Sequence, residues 1–523
     1  MIFKHPIFNH RNIYLFGIFC LAGSIPISKY TTSISEIILL SNWLLEGQFK
    51  DKFSTVLKNK CIWMLSSIFI IHLLWLFNTT DFTYASKDLR IKLPILLLPL
   101  IIGTSAPLNK KLVTTLFLFY AAAAFSGTIF SLSIYKHMLH VPYHDLRRIF
   151  PDMSLIRFSL NLDVAIILLL YIIIFDKSYS INFKIILGFF ILWFFAYMIF
   201  IQSLTGLIIL VLTSVIFFFS HLIKMQSKLI RYLSLLIIVI IPMIVLFIIF
   251  RVYHDYYNIK PLNPSSIQKY TANGNVYDPD FSDASTENGN YVWLYICEKE
   301  MRKEWNSRSK IAFDNKDSLK NEIKYTLIRY LASKGFTKDS VGISRLSKRD
   351  IENIENGCAN YIYKEKFGIY TRFYEVLWEF DHYAKFNDVG GHSVTQRIAF
   401  VKNAILVIKE HFWWGVGTGD VQLEMNKMYD KTHSRLLKEF RLRAHNQFVT
   451  FYLTFGVFGA SWIIFTFFYI GFYKKKYKDF LYLTVFIVSM LSFINEDTLE
   501  SQAGVTFIIF MITFFSCGIE EQD

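Results

Sequence analysis

The residues of this chain best suited to chemistry lie together, directly before a hydrophobic segment. In the stretch RLRAHN, Arg441 and Arg443 precede His445 and Asn446. An imidazole has an ordinary pKa of about 6.5 and takes a proton readily at neutral pH, while a guanidinium binds phosphate through paired hydrogen bonds. The pattern therefore suits proton transfer beside an anionic substrate. The alternative is a boundary residue, because an amphipathic ring also lies readily at a membrane surface.

A further candidate cation, Arg397, falls within a segment of helical periodicity. In TQRIAFVKNAILVIKEHF, from Thr395 to Phe412, apolar residues recur every three or four positions and predict a helix. Arg397 is expected in the first turn of that helix, where a cation opposes the helix dipole. We therefore expect it to need an anionic partner such as a phosphate.

The glycine-rich stretch WWGVGTGD, from Trp413 to Asp420, follows this helix. Such glycines either bring backbone amides close to a phosphate or allow a tight turn. A lone GxGxG pattern is not specific for phosphate, and the turn is the favoured interpretation.

Three acidic residues, Glu496, Asp497 and Glu500, lie between the last two apolar segments. One interpretation is that they bind acceptor hydroxyls or orient His445. Helix capping, or pairing with the two arginines that precede the histidine, explains them equally well.

The composition of the chain indicates a membrane protein. Hydrophobic residues make up 53% of the 523 positions and charged residues only 18%, whereas soluble domains are about one quarter charged. Because a span needs about 20 apolar residues, we predict an all-α polytopic protein with about twelve transmembrane helices. Their centres lie at about residues 20, 40, 69, 98, 123, 168, 190, 212, 240, 465, 486 and 511.

This count predicts three regions. Residues 1–250 hold nine spans, residues 251–443 form one large and mainly helical polar region, and residues 444–523 hold the histidine and three spans. The bias of Lys and Arg towards cytoplasmic loops predicts cytoplasmic termini and a periplasmic large region. The loops that carry this bias are Lys50–Lys60, Asn109–Lys111, Lys224–Arg231 and Lys474–Lys478.

Two outside loops, residues 86–92 and 135–157, carry cations that this topology does not require. An anionic ligand would explain them, and contact with outer-leaflet phospholipid or internal ion pairs are the alternatives. The cations include Arg90, Lys92, Arg147, Arg148 and Arg157. The candidate ion-pair partners are Asp88, Asp145 and Asp152.

The whole pattern around His445 resembles a known signature. His445 and Asn446 are followed by nine residues, Gly456, two residues and Gly459. This resembles the H[NSQ]-x9-G-x-x-[GTY] signature of the O-antigen ligase and Wzy-type O-antigen polymerase superfamily, and the chain is most like the ligases. Other stretches resemble landmarks of the family in the same order: NWLLEGQFKDK, LRIKLPILLLPL, IRFSLNL, SVTQRIAFVKNA, GVGTGD and NEDTLESQAG.

The resemblance implies a GT-C-like, lipid-carrier-dependent glycosyltransferase of the bacterial inner membrane, with its active site facing the periplasm. Its donor would be a glycan on undecaprenyl diphosphate, and its acceptor a sugar hydroxyl of lipid A-core in lipopolysaccharide biosynthesis. Beyond these substrates and membrane lipid, no partner such as nucleic acid is expected. Transfer is expected to be inverting and to need no metal or cofactor, since the five cysteines show no CxxC or Cys/His zinc spacing and no DxD-type metal site is evident in a matching position.

The resemblance also implies roles residue by residue. His445 would be the base that activates the acceptor hydroxyl, and Arg397 would bind the diphosphate. Arg157, at the outer start of the sixth span, looks like the arginine of a membrane-face pocket. Arg90 and Lys92 are further diphosphate candidates, and for the secondary cations an ion pair or a lipid contact is an equal alternative. The candidates for orienting substrate are Arg441, Arg443, Asn446 and Glu496.

One motif departs from the family pattern. Many members carry an SRTG-like stretch at the outer start of the eighth span, whereas this chain has QSLTG, with Leu204 in place of the arginine. Either another cation, such as Arg157, supplies the missing charge, or donor recognition differs.

Three other functions share parts of this pattern. A Wzy-type polymerase would use the same histidine and arginines with a carrier-linked repeat unit as acceptor. A protein O-oligosaccharyltransferase would use a Ser or Thr hydroxyl. A lipid-linked glycan transporter would also have many spans, but transporters usually contain internal repeats, and the two halves of this sequence show no convincing similarity.

Overall fold

The protein is built mainly of α-helices in the computed structural model, as the sequence predicts. The structure describes residues 9–138, 149–150, 153–222, 228–259, 261, 267–366, 368–386, 389 and 393–520. Helices account for 74% of the structure, which is consistent with an all-α membrane protein. Four charged residues of the predicted outer loop lie outside the described residues, namely Asp145, Arg147, Arg148 and Asp152.

Among the residues that the structure describes, ten helices lie before the large polar region or run into its start. Ser28, Asn59, Asp81, Ser154 and Ser180 each begin one of them, because each side chain accepts a hydrogen bond from a first-turn backbone N–H. The helices are α1 (His10–Ser24), α2 (Lys29–Glu46), α3 (Phe49–Lys58), α4 (Lys60–Leu74), α5 (Phe82–Thr104), α6 (Lys110–Met138), α7 (Leu155–Phe175), α8 (Ile181–Phe200), α9 (Leu204–Leu222) and α10 (Lys228–Tyr257).

The large polar region is mainly helical where the structure describes it, and it also contains a short antiparallel pair of strands. β1 (Thr286–Glu287) pairs with β2 (Asn290–Tyr291). The helices are α11 (Glu298–Arg308), α12 (Ile323–Ser333), α13 (Ser340–Ser344), α14 (Lys348–Glu355), α15 (Ile362–Glu365), α16 (Ile369–Phe386), α17 (Ser393–Glu410) and α18 (Val421–Lys431).

Three helices complete the chain: α19 (Gln447–Phe472), α20 (Phe480–Asn495) and α21 (Gln502–Cys517). Each of the twelve span centres predicted from the sequence falls within one of the apolar helices. Among the described residues, five helical stretches are long and apolar enough to cross a membrane, so the count of twelve spans stays a prediction. These stretches are Lys60–Asn78, Lys110–Lys136, Leu155–Phe175, Ile181–Phe200 and Gln447–Lys478.

The chain divides into two compact units. The first combines residues 1–132, 150–238 and 382–523, and the second combines residues 133–149 and 239–381. The second unit has its own apolar core, in which Trp305, Phe313, Leu327 and Tyr330 are fully buried. Every residue that the sequence proposes for catalysis or substrate binding belongs to the first unit.

Helix α19 is broken at Gly456, where φ is 58° and ψ is −167°. The break leaves backbone carbonyls of the preceding turn without helical donors, and the glycine-rich stretch supplies them. The N–H groups of Val416 and Gly417 donate to the carbonyls of Leu453 and Thr454, both at 2.9 Å. The GVGTGD stretch is therefore a turn, as predicted, and its amides at these two positions bind protein rather than phosphate.

Glycine is required on both sides of this contact. A Cβ at Gly456 would lie 2.3 Å from the carbonyl oxygen of Trp413, and a Cβ at Gly415 would lie 2.4 Å from that of Thr454. Asp420 then ends the turn and accepts hydrogen bonds from the backbone N–H groups of Thr80 and Asp81, each at 2.7 Å. The turn thus joins the end of α17 to the middle of α19 and to the start of α5.

Replacing Gly456 with alanine should destabilise the protein. The backbone conformation at this position is essentially restricted to glycine, and a strained residue costs about 1–3 kcal/mol. We expect a lower unfolding temperature for Gly456→Ala, measured by intrinsic fluorescence in detergent. Gly188→Ala is the control, because an added Cβ there meets nothing within 4 Å and alanine favours the helix. Equal unfolding temperatures for Gly456→Ala and the unmodified protein would contradict the account of the break.

Candidate active site

The carboxylate of Glu496, directly after α20, is the centre of the candidate site. Its Oε1 lies 3.6 Å from Nδ1 of His445 and 3.4 Å from Nη2 of Arg157, and its Oε2 lies 3.6 Å from Nη2 of Arg397. The Glu496 side chain is 8% exposed, so its charge requires partners within the protein. Three residues that the sequence proposed separately, His445, Arg157 and Arg397, thus all contact the carboxylate of Glu496.

His445 is held in an uncommon backbone conformation at the start of α19. Its φ is 48°, in the left-handed region that costs a non-glycine residue about 1–2 kcal/mol. The imidazole stacks on the ring of Phe400, with the ring centroids 5.6 Å apart. Asn446 caps α19 through Val449 N–H and donates to the carbonyl of Ile494 at 2.7 Å. Asn446 therefore joins the start of α19 to the end of α20.

The prediction that Arg397 lies in the first helical turn was wrong. Helix α17 begins at Ser393, two residues earlier than the apolar pattern suggested, so Arg397 is its fifth residue and lies beyond the first turn. The residue does have an anionic partner, but this partner is the carboxylate of Glu496. The Arg397 side chain is 28% exposed, so the residue is not closed off from solvent.

Two carboxylates surround one nitrogen of the imidazole. Nδ1 of His445 lies 3.6 Å from Glu496 and 3.4 Å from Oδ1 of Asp497. These are ion-pair distances rather than hydrogen bonds, and Nδ1 has no hydrogen-bond partner among the described residues. Because Nδ1 faces the carboxylates, Nε2 is the nitrogen left to take a proton from a substrate.

The surrounding charges favour the protonated imidazole. Burial lowers the pKa of His445, but Glu496 and Asp497 outweigh both burial and the repulsion from Arg397, so the pKa lies above its usual value. Burial raises the pKa of Glu496, but His445, Arg157 and Arg397 outweigh it and hold that pKa below its usual value. For Asp497, burial raises the pKa above its usual range despite His445.

Glu500 fixes the chain on both sides of the histidine. Its carboxylate forms an ion pair with Arg443, two residues before His445, and accepts a hydrogen bond from Nε2 of Gln447, two residues after it, at 3.2 Å. Lys92 on α5 donates to the same carboxylate at 2.9 Å. Pairing of the acidic loop with Arg443 is thus confirmed, and it holds the strained histidine in position.

The remaining cation candidates have other partners or other locations. Lys92 is buried and pairs with Asp88 as well as Glu500, so the geometry favours the ion-pair alternative over diphosphate binding. Arg441 pairs with Asp430 instead of the acidic loop. Arg90 is exposed on α5, two residues from Lys92 and so on another face of the helix. Among the described ion pairs, neither Arg90 nor Arg441 reaches Glu496.

Leu204, the position at which the resemblance implies an extra arginine, lies near this group. Helix α9 begins at Leu204, and the next residue, Thr205, accepts a hydrogen bond from Nδ2 of Asn495 at 2.6 Å. Asn495 directly precedes Glu496. Arg157 and Arg397 both contact this carboxylate, and a replacement of the missing charge by Arg157 stays a prediction.

His445, Glu496 and Asp497 also form a possible metal-ligand set. One ligand atom from each lies within 4.8 Å of the others, and imidazole with carboxylates is a donor set that divalent metals use. Two guanidinium groups already contact Glu496, and their charge opposes a cation at the same carboxylate. The residues fit a network of ion pairs better than a metal centre, and metal-independent chemistry stays a prediction.

Two residues of the site were not found from the sequence. Phe400 supports the imidazole, and its position three residues after Arg397 on one helix face was a usable signal. Gln447 also accepts a hydrogen bond from the Leu499 N–H at 2.8 Å. Nothing local in the sequence distinguishes this glutamine from an ordinary polar residue at a helix start.

Glu500→Gln should destabilise the protein, because Lys92 and Arg443 would keep buried charges without their shared carboxylate. Breaking a buried ion pair costs about 3–5 kcal/mol, measurable by chemical unfolding in detergent. Glu424→Gln is the control, since Glu424 pairs with Lys427, whose side chain is 62% exposed, and surface changes stay within about 0.5 kcal/mol. Equal losses for both variants would contradict this account.

The loss of stability caused by Glu500→Gln should depend on pH, and the direction of this dependence follows from the pKa of Glu500. Burial raises the pKa of Glu500, but Lys92 and Arg443 outweigh it and hold the pKa below its ordinary value of 4.5. A carboxylate with a lowered pKa contributes stability above the ordinary pKa and loses it as the pH falls towards the folded-state pKa. The stability difference between Glu500→Gln and the unmodified protein should therefore be full above pH 4.5 and shrink below it.

Comparison with known proteins adds one finding. A family model described as Wzy_C, O-Antigen ligase, matches residues 358–464. No curated protein matches the chain. The matched segment contains Arg397, the GVGTGD turn, His445 and Gly456, which are among the residues that carry the resemblance in the sequence. Over this segment, about one fifth of the chain, the protein is similar to O-antigen ligases, which supports the resemblance to that superfamily.

Proposed function

We propose that the protein is an O-antigen ligase of the bacterial inner membrane, with its active site facing the periplasm. It transfers a glycan from undecaprenyl diphosphate to a sugar hydroxyl of lipid A-core. One observation supports this proposal most strongly. His445, Arg157 and Arg397 all contact the buried carboxylate of Glu496. A base and two cations at one carboxylate suit a transfer in which a proton is removed while a diphosphate leaves.

His445 acts as the general base in this proposal. Its Nε2 takes the proton of the acceptor hydroxyl, and the hydroxyl oxygen attacks the anomeric carbon of the donor sugar. The bond between that carbon and the phosphate oxygen breaks, and undecaprenyl diphosphate leaves with the electron pair. Attack opposite the leaving group inverts the anomeric centre. Glu496 and Asp497 stabilise the imidazolium that forms, as the raised pKa of His445 indicates.

Arg397 and Arg157 stabilise the leaving diphosphate. Negative charge on the leaving group grows in the transition state, and fixed guanidinium groups in a site of low dielectric oppose that charge. Both side chains are only partly exposed, at 28% and 18%, so they are held in place before the donor binds. In this proposal the donor phosphates share the two cations with Glu496.

The acceptor distinguishes this proposal from its neighbours. A Wzy-type polymerase has the same chemistry at the donor, and the family finding covers both activities. A protein hydroxyl as acceptor also needs only the same base. A lipid-linked glycan transporter needs no base, so a requirement for His445 in bond formation argues against it.

Purified protein should transfer glycan to lipid A-core, and His445→Ala should lose that activity. The assay supplies undecaprenyl-diphosphate-linked glycan with EDTA present and with lipid A-core, a carrier-linked repeat unit or a Ser/Thr peptide as acceptor. Loss of a general base lowers the rate about 10²–10⁴-fold, and Arg397→Ala should lower kcat/KM about 10–100-fold through the lost charge-assisted contact. His254→Ala is the control, since this side chain is 63% exposed and lies in the second unit.

Three outcomes would contradict the proposal in different ways. Elongation of the carrier-linked unit would identify a polymerase, and labelled peptide would identify a protein transferase. Full activity in His445→Ala would show that the histidine is not the base. Loss of transfer in EDTA that is restored by a divalent cation would overturn metal-independent chemistry.

The pH profile tests the coupling between Glu496 and the base. Since His445 must be neutral to act, kcat should rise with pH through a pKa above about 6.5. Glu496→Gln removes the charge that raises this pKa, so the acid limb should move to lower pH, and the plateau should fall because the imidazolium loses its partner. Glu424→Gln serves as the control and should keep the original limb. An unchanged limb in Glu496→Gln would contradict the assignment.

A further inference from the structure

We infer that a cavity between the starts of α2, α7 and α21 binds the diphosphate of the lipid-linked donor, with Lys29 as an additional phosphate-binding residue. This inference deepens the proposed function and rests on it. The cavity has a volume of about 370 Å³ and is lined by Lys29, Ser154, Arg157, Ser501 and Gln502, together with Met153 and Ala503.

The lining suits an anion. Both charged residues of the lining, Lys29 and Arg157, are cations, and the other polar residues carry hydroxyl or amide groups. Phosphate esters are commonly held by this combination of lysine, arginine and hydroxyl groups. Among the classes of ligand that a lipid-linked donor offers, its phosphate-bearing group is the one that this chemistry fits.

Arg157 contains an unused donor that points to a ligand. Its Nη2 contacts Glu496 at 3.4 Å, but its Nε is buried and has no hydrogen-bond partner among the described residues. A buried N–H without an acceptor is costly. This unsatisfied N–H belongs to a residue that lines the cavity, so the guanidinium has hydrogen-bonding capacity that its contact with Glu496 does not use.

The wall that carries Lys29 is fixed to the wall that carries Gln502. Lys29 is the first residue of α2, and Ser33, one turn later, accepts a hydrogen bond from Nε2 of Gln502. One turn further along α21, Thr506 donates to Oε1 of Glu36 at 2.6 Å. The lysine therefore stands on a helix whose position against α21 is set by side-chain contacts, so little ordering is needed when a ligand binds.

Backbone amides add to the positive potential of the cavity. Lys29 begins α2, while Ser154 and Ser501 are the capping residues of α7 and α21. The N-termini of helices carry a partial positive charge and favour phosphate. This contribution supplements the two cationic side chains, which carry the inference.

The cavity adjoins the reacting group through one residue. Arg157 lines the cavity and also contacts Glu496, which faces His445. A diphosphate bound by Lys29 and Arg157 would therefore present its sugar-linked end to the side where His445 and Arg397 lie. This arrangement also supplies a cation near Leu204, where the resemblance leads us to expect an arginine.

Direct binding tests the inference without any transfer step. Protein in phosphatidylcholine nanodiscs is titrated with undecaprenyl diphosphate, and the Kd is measured by thermophoresis. Lys29→Gln should weaken binding about tenfold, as expected for the loss of one contact with a charged group, whereas Lys29→Arg should retain binding. Lys87→Gln, which removes an exposed lysine from α5, should leave the Kd unchanged, and inorganic pyrophosphate should compete with the lipid.

Several outcomes would overturn the inference. An unchanged Kd in Lys29→Gln would show that the lysine does not contact the donor, and an equal loss in Lys87→Gln would show only general charge attraction. If phosphatidylglycerol in the nanodisc competes as strongly as pyrophosphate, the cavity binds lipid headgroups instead of the donor.

The result is independent of the proposed transfer reaction. If the unmodified protein transfers no glycan but Lys29→Gln still weakens diphosphate binding, the binding site is supported and the proposed function is contradicted. If transfer depends on His445 but Lys29→Gln binds undecaprenyl diphosphate normally, the proposed function is supported and the assignment of the cavity is contradicted.

Discussion

A carboxylate in a buried position must be paired with opposite charge, and this requirement sets the arrangement around Glu496. Its partners come from the start of α7, from α17 and from the segment before α19. Removing any one of them would leave part of a buried charge uncompensated. The carboxylate also keeps Arg157 and Arg397 close together despite their like charge, because each guanidinium contacts a different oxygen of the same group. The group that raises the pKa of the base is therefore also the group that gathers the cations for a diphosphate.

The second constraint is the need to satisfy backbone groups where α19 is broken. In an apolar environment an unpaired carbonyl is costly, and the turn after α17 provides N–H groups at that point. Glycines allow the two backbones to approach closely. This contact fixes the end of the helix that carries Arg397 against the helix that follows His445. Glu500 then fixes the histidine itself from both sides, through Arg443 and Gln447.

Local sequence patterns predicted much of the fold and part of the site. Each span centre predicted from an apolar run falls within a helix, because hydrophobic length is a local property, and the sequence proposed both His445 and Arg397 for the site that the structure brings together. The pattern misjudged the start of α17, although Val394, four residues before Ile398, continues the apolar stripe of that helix. The sequence left open whether Lys92 binds phosphate or forms an ion pair. Its partner Glu500 is 408 positions away, and a local pattern cannot reveal that contact. The left-handed backbone of His445 also depends on contacts from distant segments. Lys29 carried no signal in the sequence, since only the folded chain brings it to the cavity that Arg157 lines.

The central claim is that the donor diphosphate binds beside Glu496, with its sugar facing His445. The most direct measurement is a cryo-EM map of the His445→Ala variant in nanodiscs with undecaprenyl-diphosphate-linked glycan, in which the missing base prevents turnover. The account predicts phosphate density within about 4 Å of Arg157 and Arg397, an ion-pair distance, and a first sugar facing position 445. Diphosphate density away from both arginines, or a sugar directed away from position 445, would contradict it.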